Sequence, residues 1–174
     1  MKDVIEGRVW TLGRDVDTDG IISGKYLTII DPQELKKHVF EIALPEFAKE
    51  ARPGDIIVAD ENFGSGSSRE HAPQAMKAIG VAAIVADSFA RIFFRNAINL
   101  GLPTVEARGV RAIFNKGDVA RLEMRAGRIS NLRTGASVTF PPLPPHLLGL
   151  LDAGGLVEKV RTELAARKAG SASP

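Results

Sequence analysis

Between two apolar runs the chain carries Asp60-Glu61-Asn62-Phe63-Gly64-Ser65-Gly66-Ser67-Ser68-Arg69-Glu70-His71-Ala72-Pro73. Two adjacent hydroxyls, Ser67 and Ser68, run straight into a guanidinium, a carboxylate and an imidazole. A guanidinium offers a planar fork for a carboxylate or phosphate, and hydroxyls and backbone N–H groups add short-range hydrogen bonds around it. These residues suit a small anionic ligand. Glycine at 64 and 66 lets the backbone fold tightly enough for its amides to approach. The loop lacks the lysine and spacing of a phosphate loop, and it does not read G-x-G-x-x-G. A plainer reading stays open, that of a solvated loop whose serines cap a helix.

A second cluster lies upstream, where Asp15, Asp17 and Asp19 alternate with other residues. Three carboxylates so close would suit a divalent cation, but the glycine and distal glutamate of an EF-hand are absent. An Asp-rich turn that fixes its own backbone is the alternative, most directly at Asp15. His38, His71 and His146 stand at no metal-ligand spacing, and there is no cysteine. With no thiolate to hold zinc or an iron–sulfur cluster, no metal site is expected on this chain.

The elements that must position these groups are legible from their patterning. Asp55-Ile56-Ile57-Val58-Ala59 reads as a short buried strand, and 73–79 as a helix with Pro73 at its first position and Gly80 to stop it. Strand, Gly-rich loop and helix together aim amides and a helix N-terminus at an anion. The continuous apolar run 81–86 predicts a parallel strand, so 55–86 forms a β-α-β unit. A first strand is expected over 6–12. Asp31, Pro32 and Glu34 start a helix that turns Leu35, Val39 and Ile42 inward and leaves His38 exposed. Asp87-Ser88 opens an amphipathic helix to about Asn99, with Arg91, Arg95 and Asn96 on its polar face. Segments 119–125 and 128–132 flank Ala126-Gly127 as a hairpin, 137–140 adds a strand, and 156–167 a last helix. The class is α/β with an antiparallel hairpin attached. Residues 1–168 make one domain, and 169–174 a disordered tail.

At 174 residues, with 44% apolar and 25% charged content, the chain is long enough to bury a core. A formal charge of +2, without a dense Lys/Arg run, gives no sign of nucleic-acid binding. No apolar run approaches a membrane span and the first residues show no signal-peptide core, so a cytoplasmic protein is expected.

Gly64-Ser65-Gly66-Ser67-Ser68-Arg69-Glu70-His71-Ala72 resembles the signature of the small swivelling domain of the aconitase family. Asp15-Val16-Asp17-Thr18-Asp19-Gly20-Ile21-Ile22, closing on Tyr26-Leu27, is similar to a second block of that family. Ala86-Asp87-Ser88-Phe89-Ala90-Arg91-Ile92-Phe93-Phe94-Arg95-Asn96-Ala97-Ile98-Asn99 is similar to a third. The blocks stand in the family's order and cover most of residues 5–106. Length and lack of cysteine resemble the free-standing small subunits of the family, those of 3-isopropylmalate dehydratase in the short form shared with homoaconitase.

The resemblance implies the swivelling β/β/α fold and a hydro-lyase that moves a hydroxyl by dehydration and rehydration. It implies Ser67 as the base, with Gly66, Ser68 and Arg69 holding a substrate carboxylate. Asp17, Asp19, Glu70 and His71 stand behind them, and the 86–99 helix lies near the substrate loop and the subunit boundary. It implies a [4Fe-4S] cluster on a separate large subunit and a small hydroxy-dicarboxylate as substrate. Relatives acting on tricarboxylic acids place an arginine two residues after the tyrosine. Here Thr28 stands there, which favours the isopropyl group of isopropylmalate in leucine biosynthesis. A homoaconitase or methylmalate-type small subunit is the alternative, and a stand-alone phosphate- or nucleotide-binding module the reading from another class.

Overall fold

The computed structural model describes residues 3–170, with side chains as far as Arg167. Seven strands form one sheet in the order β4-β3-β2-β1-β5-β6-β7. They are β1 (Val4–Thr11), β2 (Ile56–Ala59), β3 (Ala83–Ala86), β4 (Thr104–Glu106), β5 (Val119–Glu123), β6 (Arg128–Asn131) and β7 (Ser137–Thr139). The helices are α1 (Thr18–Ile21), α2 (Pro32–Leu35), α3 (Phe47–Glu50), α4 (His71–Ile79), α5 (Arg91–Asn99), α6 (Pro145–Ala153) and α7 (Leu156–Gly170). Strands β1 to β4 are parallel, and β5 to β7 continue the sheet antiparallel.

Strand β1 joins the two halves. Its first part, from Val4 to Arg8, pairs antiparallel with β5, and its last part, Val9 to Thr11, pairs parallel with β2. Because side chains alternate along a strand, each central strand feeds two cores. Trp10, Ile57, Ala59, Ile84 and Ala86 pack on one side with Ala72, Ala75 and Met76 of α4 and Phe93 and Ala97 of α5. Val9, Ile56, Val58, Ala83 and Val85 pack on the other with Ile98, Phe114, Leu122, Ile129 and Leu151. Burial on both faces explains the unbroken apolar runs of β2 and β3, whereas β5 alternates, with Ala120 and Leu122 buried and Val119 and Arg121 exposed.

A buried polar network locks the antiparallel half. Asp118 receives the Asn115 N–H at 2.9 Å, the Asn131 amide at 2.8 Å and the Arg133 guanidinium at 2.5 Å. These donors, the Arg133 bond first among them, hold its carboxyl well below the usual carboxylate range. Asp55 plays a similar part before β2. Burial pushes its carboxyl up, but bonds from Arg8, the Arg52 N–H and Trp10 Nε1 outweigh burial and hold it low.

Several boundaries differ from the sequence reading. Helix α4 starts at His71, so Pro73 is its third residue; Pro remains tolerable there because first-turn amides have no intrahelical partner. The helix after Asp31 is cut to four residues followed by a 3-10 turn at Lys36–His38. Phe40 takes the left-handed conformation, φ 56°, to bury its ring, and this throws Ile42 outward to 76% exposure instead of inward. His38 is half-buried against Tyr26 rather than solvated. Helix α5 opens at Arg91, because Ser88 and Asp87 are drawn into loop contacts: Asn62 N–H donates to Ser88 Oγ and Gly109 N–H to Asp87. Helix α7 reaches Gly170, and residues 171–174 of the expected tail lie outside the described residues.

Candidate active site

The parallel strands deliver three loops to their carboxyl ends, the place where open α/β sheets hold ligands. Those loops are stitched to one another by backbone bonds. Asp15 N–H donates to Glu61 O at 2.9 Å, Gly64 N–H to Val16 O at 2.7 Å and Thr18 N–H to Ser65 O at 2.8 Å. On the other side Phe63 N–H donates to Ser88 O at 3.0 Å and Ala90 N–H to Phe63 O at 2.9 Å. The three motif blocks found in sequence therefore meet here.

Gly64 is the hinge of the serine loop. It has φ +78°, and a Cβ on it would stand 2.1 Å from the Phe93 ring, so only glycine fits between loop and α5. Phe93 belongs to a trio with Phe63 and Phe89, with ring centroids 5.2 to 6.2 Å apart, which supports the loop from below. Gly66, φ +90°, repeats the left-handed turn and brings the chain against Thr18.

Ser67 is held by its backbone. Thr18 Oγ1 accepts from Ser67 N–H at 3.1 Å and donates to Ser67 O at 3.3 Å, while Asn96 of α5 donates to Ser68 O at 3.4 Å. The side chains of Ser67 and Ser68 are exposed, and no described group hydrogen-bonds to either hydroxyl. Arg69 forms an ion pair with Asp19, which aims its guanidinium across the loop. Asp17 has a different task from its neighbour. Its carboxylate accepts from Gly20 N–H at 2.5 Å and caps α1.

The remaining expected residues are less closely joined. Glu70 is exposed at the N-cap position of α4 and gives no side-chain cap, and His71 is half-buried at the helix start. Thr28 is exposed on segment 24–30, with no hydrogen bond to the serine loop. The link runs through Gly24, where a Cβ would stand 3.6 Å from Arg69 Nη2. Asp15 adopts φ 56° and accepts from the Asn62 amide at 2.9 Å, so it bonds across to the serine loop rather than to its own backbone; the local backbone bond is made by Asp17 instead. Thr18 was not among the residues singled out in the sequence; its signal was a small hydroxyl between two acids, 1% exposed in the fold.

The chain's own residues do not fit an iron–sulfur cluster. It has no cysteine, and no group of three or more His, Asp or Glu among the described residues could hold a metal ion. The serine loop is an open ledge. A cleft of about 420 Å³ lies elsewhere, lined by Phe89, Arg91, Phe94, Arg95, Ile98 and Glu106 among others. No helix of the described residues is long and apolar enough to cross a membrane.

Residues 13–109, which span all three loops, match the family model of the Aconitase C-terminal domain. The chain belongs to the aconitase family. Among members of the family it is 55% identical to 3-isopropylmalate dehydratase small subunit 1 of Methanopyrus kandleri, over 94% of this chain and 96% of that one. It is 46% identical to the isopropylmalate/citramalate isomerase small subunit of Methanocaldococcus jannaschii, over 95% and 98%. A crystal structure of 3-isopropylmalate dehydratase from M. jannaschii superposes with a TM-score of 0.91 at 38% identity, covering 96% of this chain and 99% of that one. The expected α/β family fold is thus the one observed.

Proposed function

We propose that this chain is the small subunit of a 3-isopropylmalate dehydratase, a hydro-lyase that interconverts 2- and 3-isopropylmalate by loss and readdition of water in leucine biosynthesis. The observation that carries the reading is the docking of the Ser67–Arg69 stretch on the Thr18–Asp19 stretch, in a fold shared end to end with relatives of that name. In this mechanism Ser67 Oγ takes the proton from the carbon beside a carboxylate as the hydroxyl leaves the neighbouring carbon. Readdition returns the proton from Ser67 to one carbon and a hydroxyl to the other, so that the one water lost in the first half is regained in the second. A serine hydroxyl is a weak base, so its alkoxide needs nearby positive charge. Arg69 and the N-terminal amides of α4, which no side chain caps, supply it. Arg69 and Ser68 hold the substrate carboxylate, and Gly66 allows its close approach.

Exposure of the ledge means that a second polypeptide must cover the site for water to be excluded. We assign that role, and the [4Fe-4S] cluster, to a large subunit. Thr28, where tricarboxylate enzymes need a cation, leaves the variable group of the substrate an uncharged neighbour, since a buried third carboxylate without a partner is costly. The name of the M. jannaschii relative favours a second substrate, citramalate, whose methyl group replaces isopropyl.

Anaerobic reconstitution with a cluster-bearing large subunit tests the reading, with 3-isopropylmalate, citramalate and homocitrate offered in parallel. Turnover of isopropylmalate, abolished by Ser67→Ala in a complex that still assembles, is the expected result. Preference for homocitrate would overturn the role of Thr28, and activity retained by Ser67→Ala would overturn the base.

A further inference from the structure

Segment 24–30 rests on the core through the partly buried Tyr26 and Ile29 and makes few backbone bonds. Beyond the 3-10 turn at Gly24–Tyr26 it has local bonds from Leu27 N–H to Gly24 O and Ile29 N–H to Tyr26 O, and Ile30 is 92% exposed. Its polar anchor is the side chain of Tyr26. The phenol donates to Glu41 Oε2 at 2.6 Å, and the ring stacks on His38 with centroids 3.7 Å apart and planes at 17°. Lys25 reaches the same Glu41 oxygen at 3.3 Å and stands 4.7 Å from the Tyr26 ring centroid.

Glu41 and His38 flank Val39 and Phe40, both fully buried, and Phe40 N–H bonds to Ile21 O. The clamp therefore ties a segment with few backbone bonds to a fixed one. The other end of the segment abuts Arg69 at Gly24. Glu41 is exposed and packs in neither core, so it holds the segment without building the fold. The Tyr26 phenol, aided by Lys25, keeps its carboxyl below the ordinary range, so it stays a pure acceptor at neutral pH.

We propose that Glu41, acting through Tyr26, is a positioning residue that sets where Thr28 stands relative to Arg69 and so governs recognition of the substrate's variable group. The inference rests on the reading of Thr28 given under Proposed function.

The test uses the reconstituted two-subunit complex. Glu41→Ala and Tyr26→Phe each raise KM for 3-isopropylmalate about tenfold and leave kcat within about twofold, the scale of one charge-assisted hydrogen bond. KM for citramalate, with its smaller group, rises less. Glu41→Gln keeps an acceptor and recovers most of the loss. The double variant Tyr26→Phe/Glu41→Ala is no worse than the poorer single one, because both remove the same bond. An unchanged KM, a loss confined to kcat, or an equal effect on both substrates overturns the proposal. A wild-type complex that turns over neither substrate would instead sink the function proposed above. Amide exchange in the isolated chain then decides the clamp: Glu41→Ala speeds exchange over 26–29, and unaltered protection overturns it.

Discussion

At the residue scale, the chemistry proposed for this loop depends on a threonine that does none itself. Thr18 holds both backbone groups of Ser67, so the position of the proposed base is set from the acidic block. Thr18→Val keeps shape and removes both bonds. The expected outcome in the reconstituted complex is a fall in kcat of roughly ten- to a hundredfold, as for a small misplacement of a reacting group. Stability should fall by only about 1 kcal/mol, since Ser67 is exposed and water replaces the lost bonds. Steady-state kinetics beside thermal melts check this, and an unaltered kcat contradicts it. Ser67, Ser68 and Arg69 stood out as candidates in sequence because their types are unusual together. Thr18 was not, because a buried threonine looks like any other until its partner, some fifty residues on, is known. The same applies to Tyr26, whose partners His38 and Glu41 lie on the segment where the expected helix fails.

At the element scale, α5 serves as the wall on which the serine loop is cast. Phe93 fills the space where a Gly64 side chain would be, and Asn96 holds Ser68. Gly64→Ala combines a left-handed backbone with a clash against a buried ring. A cost of about 3 kcal/mol or more is expected, with loss of soluble complex. An unshifted melting temperature would show that the loop can leave α5 freely. The β-α-β unit and the hairpin were readable because burial on two faces gives unbroken apolar runs and burial on one gives alternation. Strand β4 and helix α6 were missed. Three residues, Thr104–Glu106, carry too little pattern, and α6 begins within Pro141-Pro142-Leu143-Pro144-Pro145, a stretch that locally favours extended chain. The helix expected to hold Ile42 failed for a tertiary reason: burying Phe40 mattered more than continuing the turn.

At the scale of the whole molecule, two low-lying buried carboxyls, Asp55 and Asp118, contribute to the acid limit of stability. Each titrates below its ordinary 3.8 in the fold. Their contribution is fully present above that value and is lost as the pH falls below it toward the folded-state values. Asp118→Asn is expected to lower stability at neutral pH and to flatten its fall below pH 3.8, measured by denaturant melts across acid pH. A slope equal to that of the parent chain would contradict this. The shared strand β1 has a further consequence, for the newborn chain on the ribosome. Val4 must wait for Glu123 to be made before its edge is filled. At roughly 5–20 residues per second that wait is on the order of ten seconds. Through this interval the strand shows an open rim to every neighbour, and it is the part of the chain where a holding chaperone does the most good.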